Sequence, residues 1–233
     1  MTAATGQGQA SATGDGGFAT QLRGFGPAGI VALLIVVAGA FVFMPIAAAL
    51  ILIWAWLSKT PWREIGLARP RSWIGGAAAG IAIGIALKFL LKAVILPYIG
   101  AQAVNHNVLH DMGLHPLDAI GLAAYSIYGG GFAEELVFRG YLFERSAKLF
   151  GKGVLATLVT LIVVSALFAS AHWQQGPFAV IQAAITGTAL GSIYLATGRN
   201  LWVPMFVHAA FDIASVWMIY FGTENQIAHL VFK

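Results

Sequence analysis

Glu134, Glu135 and Arg139 fall within six positions of one another in Gly129-Gly-Gly-Phe-Ala-Glu134-Glu135-Leu-Val-Phe-Arg139-Gly140, in a chain where 9% of residues are charged. The flanking residues read as membrane-embedded helix, where each charge costs roughly 2.5–3.5 kcal/mol on insertion scales. A group this dense needs a compensating network, a function, or both. Three further polar residues stand in apolar surroundings: His172, at the end of Phe168-Ala-Ser-Ala-His172, and the two ends of His208-Ala-Ala-Phe-Asp212. Lys88 and Lys92 are set apart as side chains that snorkel to the interface. The six remaining groups come from three separate helices, and polar groups in lipid face a bundle interior or a wet cavity.

Helical spacing divides the labour. Glu135 and Arg139 are four residues apart with the acid first, the favourable order for an ion pair. Glu134 lies about 100° further round a helix of 3.6 residues per turn and is less able to reach the guanidinium. Glu135 is therefore the ion-pair partner, and Glu134 is left available as a general base. His172 is placed to share a water with Glu134. His208 and Asp212, again four apart, both point inward, and a histidine there can stabilise an oxyanion as a peptide bond is attacked. The chemistry implied is hydrolysis by activated water. The chain has no cysteine, which excludes a thiol nucleophile, thiolate ligands and disulfides. It also lacks a His-Glu-x-x-His zinc helix, a Gly-x-Gly-Asp pair and a Gly-x-Ser-x-Gly elbow.

The elements that must position these groups are apolar helices. Of 233 residues 59% are hydrophobic, against about 45–50% in soluble domains, and the mean hydropathy is +0.81. The expected fold is an all-α, polytopic transmembrane helix bundle of about six spans, with six to eight helices. Residues 1–26, rich in Gly, Ala, Ser, Thr and Gln, read as a disordered tail. Residues 27–115 hold two transmembrane helices, about Gly29–Leu57 with Pro45 as a kink and Trp73–Leu96, joined by the basic loop 58–72. Gly76, Gly80 and Gly84 give the second span a bare stripe for close helix approach. His106, His110, Asp111 and His115 fall in an external loop and read as solvated. Residues 116–222 form the helical core. There Asp118 is placed to cap the third span, which runs to about Phe143, and Gly129–Gly131 are placed to loosen or bend it. Glu144, Arg145, Lys148 and Lys152 make a second basic loop. Spans follow over about Val154–Trp173, Pro177–Thr197 and Leu201–Phe221, with 223–233 as a C-terminal tail. Lys and Arg in alternate loops place those loops inside and the N-terminus outside; splitting the first segment at Pro45 inverts that parity. The net charge of +4 is orientation information, with no nucleic-acid partner implied.

Glu-Glu-x-x-x-Arg, Phe-x-x-x-His and His-x-x-x-Asp, in that order on three helices, resemble the CAAX-protease and bacteriocin-processing (CPBP, Abi) family of intramembrane proteases, which includes the type II CAAX prenyl endopeptidases. The resemblance covers about Asp118 to Phe221. It implies that Glu134 and His172 activate the attacking water, that Glu135 and Arg139 support them, and that His208 with residue 212 forms the oxyanion site. The family's usual residue at the last position is Asn, and this chain has Asp212. An ionised Asp cannot donate to an oxyanion, so Asp212 is protonated, orients His208, or helps hold a cation. The family is described both as metalloproteases and as glutamate-dependent enzymes needing no metal. Glu134, His172, His208 and Asp212 are the candidate ligands for Zn²⁺, and no organic cofactor is implied. Phe168 reads as plain packing.

The expected partners are a membrane-bound protein or peptide substrate and the lipid bilayer. The resemblance points to a CAAX-type C-terminus, a leader peptide or a bacteriocin-related substrate, and to a multi-pass protein of a bacterial plasma membrane. A proton-coupled membrane transporter using the same Glu/His/Asp cluster is the alternative reading, since such chains serve as proton relays. Against it stand the absence of an evident inverted repeat and the arginine clamp on the acid pair. A catalytically silent scaffold is the third.

Overall fold

A computed structural model of the chain describes residues 14–100, 115–151 and 153–232. His106, His110 and Asp111, Lys152, and residues 1–13 of the expected tail lie outside the described residues. Within them all regular structure is helical and no strand occurs, as the composition and apolar runs lead one to expect. The helices are α1 (Gly14–Arg23), α2 (Pro27–Val42), α3 (Met44–Leu57), α4 (Trp73–Leu90), α5 (Pro116–Tyr125), α6 (Phe143–Phe150), α7 (Val154–Ser170), α8 (Pro177–Ala196), α9 (Trp202–Tyr220) and α10 (Glu224–Ala228). Helix α4 continues to Tyr98 through the π-helical turn Leu91–Ile95. Between α5 and α6 the backbone is π-helical over Ser126–Glu134 and Leu136–Leu142.

Three helices among the described residues are long and apolar enough to cross a membrane, Trp73–Tyr98, Pro177–Ala196 and Trp202–Tyr220, with a fourth if Gly17–Arg23 and Pro27–Val42, bent by 55°, are one span. Six spans were expected, and the shortfall has physical causes. Phe43 adopts extended backbone at φ −167° and ψ 119°, so the first apolar segment is two helices, with Pro45 in the first turn of the second, where its missing N–H is tolerated. Helix α7 is apolar but has 17 residues, about 26 Å at 1.5 Å per residue. The stretch between α5 and α6 carries the acid pair and arginine, which lower its hydropathy.

Other expectations are corrected locally. Residues 14–23 are helical, not disordered, because their carbonyl end is held: Trp54 Nε1 donates to the Leu22 carbonyl at 3.1 Å, and Arg145 donates to the carbonyls of Arg23 and Gly24 at 2.6 and 2.5 Å. Arg23 in turn donates to the carbonyls of Ser58 and Lys59. The expected basic loop after the third span is helix α6, in which Glu144 and Arg145 are buried and Glu144 pairs with Lys148. His115 is exposed and precedes α5; Asp118 lies within the first turn and makes no capping bond. The C-terminal tail includes α10, tied back by Glu224 to Lys92 at 3.0 Å.

The packing that sets the site is α4 against α9. A Cβ at Gly80 would lie 2.5 Å from Phe206 Cβ and 3.0 Å from the Val203 carbonyl, and one at Gly84 would strike the Val207 carbonyl. The glycine stripe is therefore the seat of α9. The entry to α9 is fixed by the loop before α4: Leu201 N–H donates to Gly66 O at 2.9 Å, and Asn200 Nδ2 and Trp202 Nε1 donate to Ala68 O at 2.9 and 3.0 Å. On its other side α9 packs on the π-helical stretch, where a Cβ at Gly131 would lie 2.9 Å from Ala209 Cβ.

Candidate active site

Helix α9 brings its polar pair against the glycine triplet. A Cβ at Gly130 would sit 2.5 Å from Asp212 Oδ2 and 3.5 Å from His208 Nε2, so a residue without a side chain is what lets these two groups approach the acid-bearing stretch. The triplet does more than loosen the helix. It is wound as π-helix, a form found frequently at functional sites.

Behind the cavity lies a fixed ion-pair core. Glu135 is fully buried, and its Oε1 accepts from Arg139 Nη1 at 2.7 Å and from His208 Nδ1 at 2.7 Å. Arg139 Nη2 donates to the Gly187 carbonyl of α8 at 3.0 Å, and the guanidinium lies 4.5 Å from the Phe168 ring centre. The i,i+4 pairing expected for Glu135 and Arg139 is present. The bond from His208 to Glu135 was not foreseen, because two residues on different helices leave no periodic signal. Phe168 packs as expected of it, against Phe138, His172 and His208 with ring centres 5.0, 4.8 and 5.8 Å apart.

In front lies a cavity of about 290 Å³ lined by Glu134, His172, His208 and Asp212, among others. All four sequence candidates for direct chemistry thus face one space, while Glu135 and Arg139 stand behind it. Glu134 Oε2 is buried with no hydrogen-bond partner and lies 3.9 Å from His208 Nε2. Asp212 Oδ2 lies 3.6 Å from the same nitrogen. His172, in the turn after α7, places Nδ1 2.9 Å from the Phe168 carbonyl. A carbonyl can only accept, so Nδ1 carries the proton and Nε2 keeps its lone pair.

The donor set does not fit a bound metal as it stands. Among the described residues no group of three His, Asp or Glu side chains is gathered to hold an ion.

Lys88 is a wall residue that sequence reasoning assigned to the membrane interface. It is buried at 1% exposure, faces the cavity and lies over the Phe211 ring at 4.9 Å. Lys92 is also buried and is paired with Glu224. The signal was present: Gly76, Gly80, Gly84, Lys88 and Lys92 recur every four residues, so the face that seats α9 carries both lysines inward.

These features define an integral membrane protein, an all-α bundle enclosing a polar site. Residues 116–214 match the family model Rce1-like, described as type II CAAX prenyl endopeptidase Rce1-like. The matched stretch contains all six sequence-predicted site residues and leaves out Lys88. No curated protein and no solved structure matches the chain.

Proposed function

We propose that the chain is an intramembrane endopeptidase that hydrolyses a peptide bond in a membrane-associated protein or peptide, with Glu134 as general base. The observation that carries this reading is Glu134 Oε2, buried without a hydrogen-bond partner on the wall of a cavity that the side chain shares with His172 and His208. A water held between Glu134 and His172 Nε2 attacks the scissile carbonyl carbon and gives its proton to Glu134. The carbonyl oxygen becomes an oxyanion that accepts from His208 Nε2–H, while His208 Nδ1–H remains on Glu135. Collapse of the intermediate breaks the C–N bond, and the proton on Glu134 passes to the leaving nitrogen. Asp212, beside His208 Nε2, orients that ring; this is the role a carboxylate can fill where an amide donor is the family's habit. The step needs no metal, and among the described residues no three ligating side chains gather around one. The Rce1-like domain favours a CAAX-type C-terminus as substrate over a leader or bacteriocin-related peptide.

The test is cleavage of quenched CAAX-type peptides, plain and lipidated, by purified protein in detergent. Glu134→Gln keeps the shape and removes the base, and lowers kcat/KM by about 10²- to 10⁴-fold with an unchanged melting profile. A Glu134→Gln protein that retains most of the rate sinks the assignment. Proton flux in liposomes without cleavage of any peptide would replace it with the transporter reading.

A further inference from the structure

We infer that Lys88 is the substrate-anchoring residue of this cavity and that the group it takes is a peptide's terminal carboxylate; this rests on the hydrolytic reading above. Three observations support it. The ammonium is buried within a membrane-spanning helix, where a lysine is costly on every insertion scale. Nζ lies 4.9 Å from the Phe211 ring centre and within the fields of Asp212, Glu224 and Lys92, yet no hydrogen bond or ion pair joins it to any described residue. Its side chain opens into the same cavity as Glu134. Both carboxylates on that space, Glu134 and Asp212, turn an oxygen toward His208 Nε2, and neither closes on Lys88. Lys92, one turn on, shows the alternative arrangement, a lysine satisfied by a protein carboxylate at 3.0 Å.

A peptide brings few anions into an apolar bundle, and its terminal carboxylate is the one present whatever its sequence. The dimensions agree with that choice. A cavity of about 290 Å³ is roughly 8 Å across if round, the length of two to three extended residues. With the carboxylate on Lys88, the bond presented to Glu134 lies within a few residues of the chain end. A compact ammonium suits a single carboxylate and makes no demand on side-chain sequence.

The experiment compares one peptide as the free acid and as the C-terminal carboxamide. Binding is read by fluorescence anisotropy in the Glu134→Gln background and turnover in protein with Glu134 intact, each with and without Lys88. The expected result is an acid-over-amide preference of about 10- to 100-fold in both readouts, reduced to near unity by Lys88→Met and recovered in part by Lys88→Arg. Equal binding of acid and amide by protein with Lys88 intact overturns the inference, as does a Lys88→Met protein that weakens both peptides by one factor and keeps their ratio. Recovery of Lys88→Met by Asp212→Asn with the ratio unaltered also overturns it, since Lys88 would then be a counterion to Asp212. Acid preference in binding with no turnover of any peptide by the unmutated protein supports the anchor and sinks the hydrolytic reading, so the two failures are told apart.

Discussion

Removing Arg139 and Glu135 together should destabilise the protein by clearly less than the two single removals add up to. The two side chains are 1% and 0% exposed with 2.7 Å between Nη1 and Oε1. Opposite charges about 4 Å apart attract by about 4 kcal/mol at an effective dielectric near 20, and stripping one partner from a buried pair costs about 3–5 kcal/mol because the other charge is stranded. In Arg139→Met the stranded Glu135 retains His208 Nδ1, which puts the ion-pair loss near the lower limit. The Gly187 carbonyl, deprived of Nη2, adds about 1 kcal/mol, for a total of about 4 kcal/mol. In Glu135→Gln/Arg139→Met no charge is stranded, so the double substitution should cost less than the sum of the singles by about 2–3 kcal/mol. Equilibrium unfolding in mixed micelles, followed by fluorescence of the seven tryptophans, measures all four corners of the cycle. Single costs that add to the double within about 0.5 kcal/mol would refute the reasoning, since the pair would then be coupled no more than distant residues are.

Three other outcomes are expected. Gly130→Ala introduces a methyl 2.5 Å from Asp212 Oδ2; that side chain can swing away, so the melting profile should hold while kcat falls roughly 10- to 100-fold, and an unchanged kcat would show that the position of Asp212 is immaterial. Gly84→Leu drives a side chain at the Val207 backbone carbonyl, which cannot swing away, and should cost at least about 1–3 kcal/mol in the same unfolding assay. Because the described side chains form no three-ligand group, peptide cleavage should proceed at an unchanged rate after exhaustive dialysis against a strong chelator; loss of activity restored by added Zn²⁺ would refute this.

Much of the site was legible because its pieces are local. The i,i+4 spacing of Glu135 with Arg139 and of His208 with Asp212 is a property of any helix, and the expense of charge in lipid made convergence of three helices a sound expectation. The glycine stripe announced a helix contact without naming α9 as the partner. The bond from His208 to Glu135 and the one from Arg139 to Gly187 depend on tertiary register, which no periodicity encodes. A lysine near a helix end ordinarily snorkels, and Lys88 departs from that habit because it lies on the glycine face that packs against α9. The helix at 14–23 was missed for a related reason: its composition argues for disorder, and what orders it is a set of carbonyl contacts from residues far along the chain.

Those contacts bear on how the protein is handled. Arg23 and Arg145 each close the carbonyl end of a helix, Arg23 that of α3 and Arg145 that of α1, and the Arg145 guanidinium also lies 4.3 Å from the Phe25 ring and 5.7 Å from that of Trp54. Trimming the chain past Gly24 for expression would remove both carbonyls to which Arg145 donates, on the same helical run that carries the acid pair. Fusion partners and affinity tags therefore belong upstream of Gly14, so that the helix held by this clasp is kept whole.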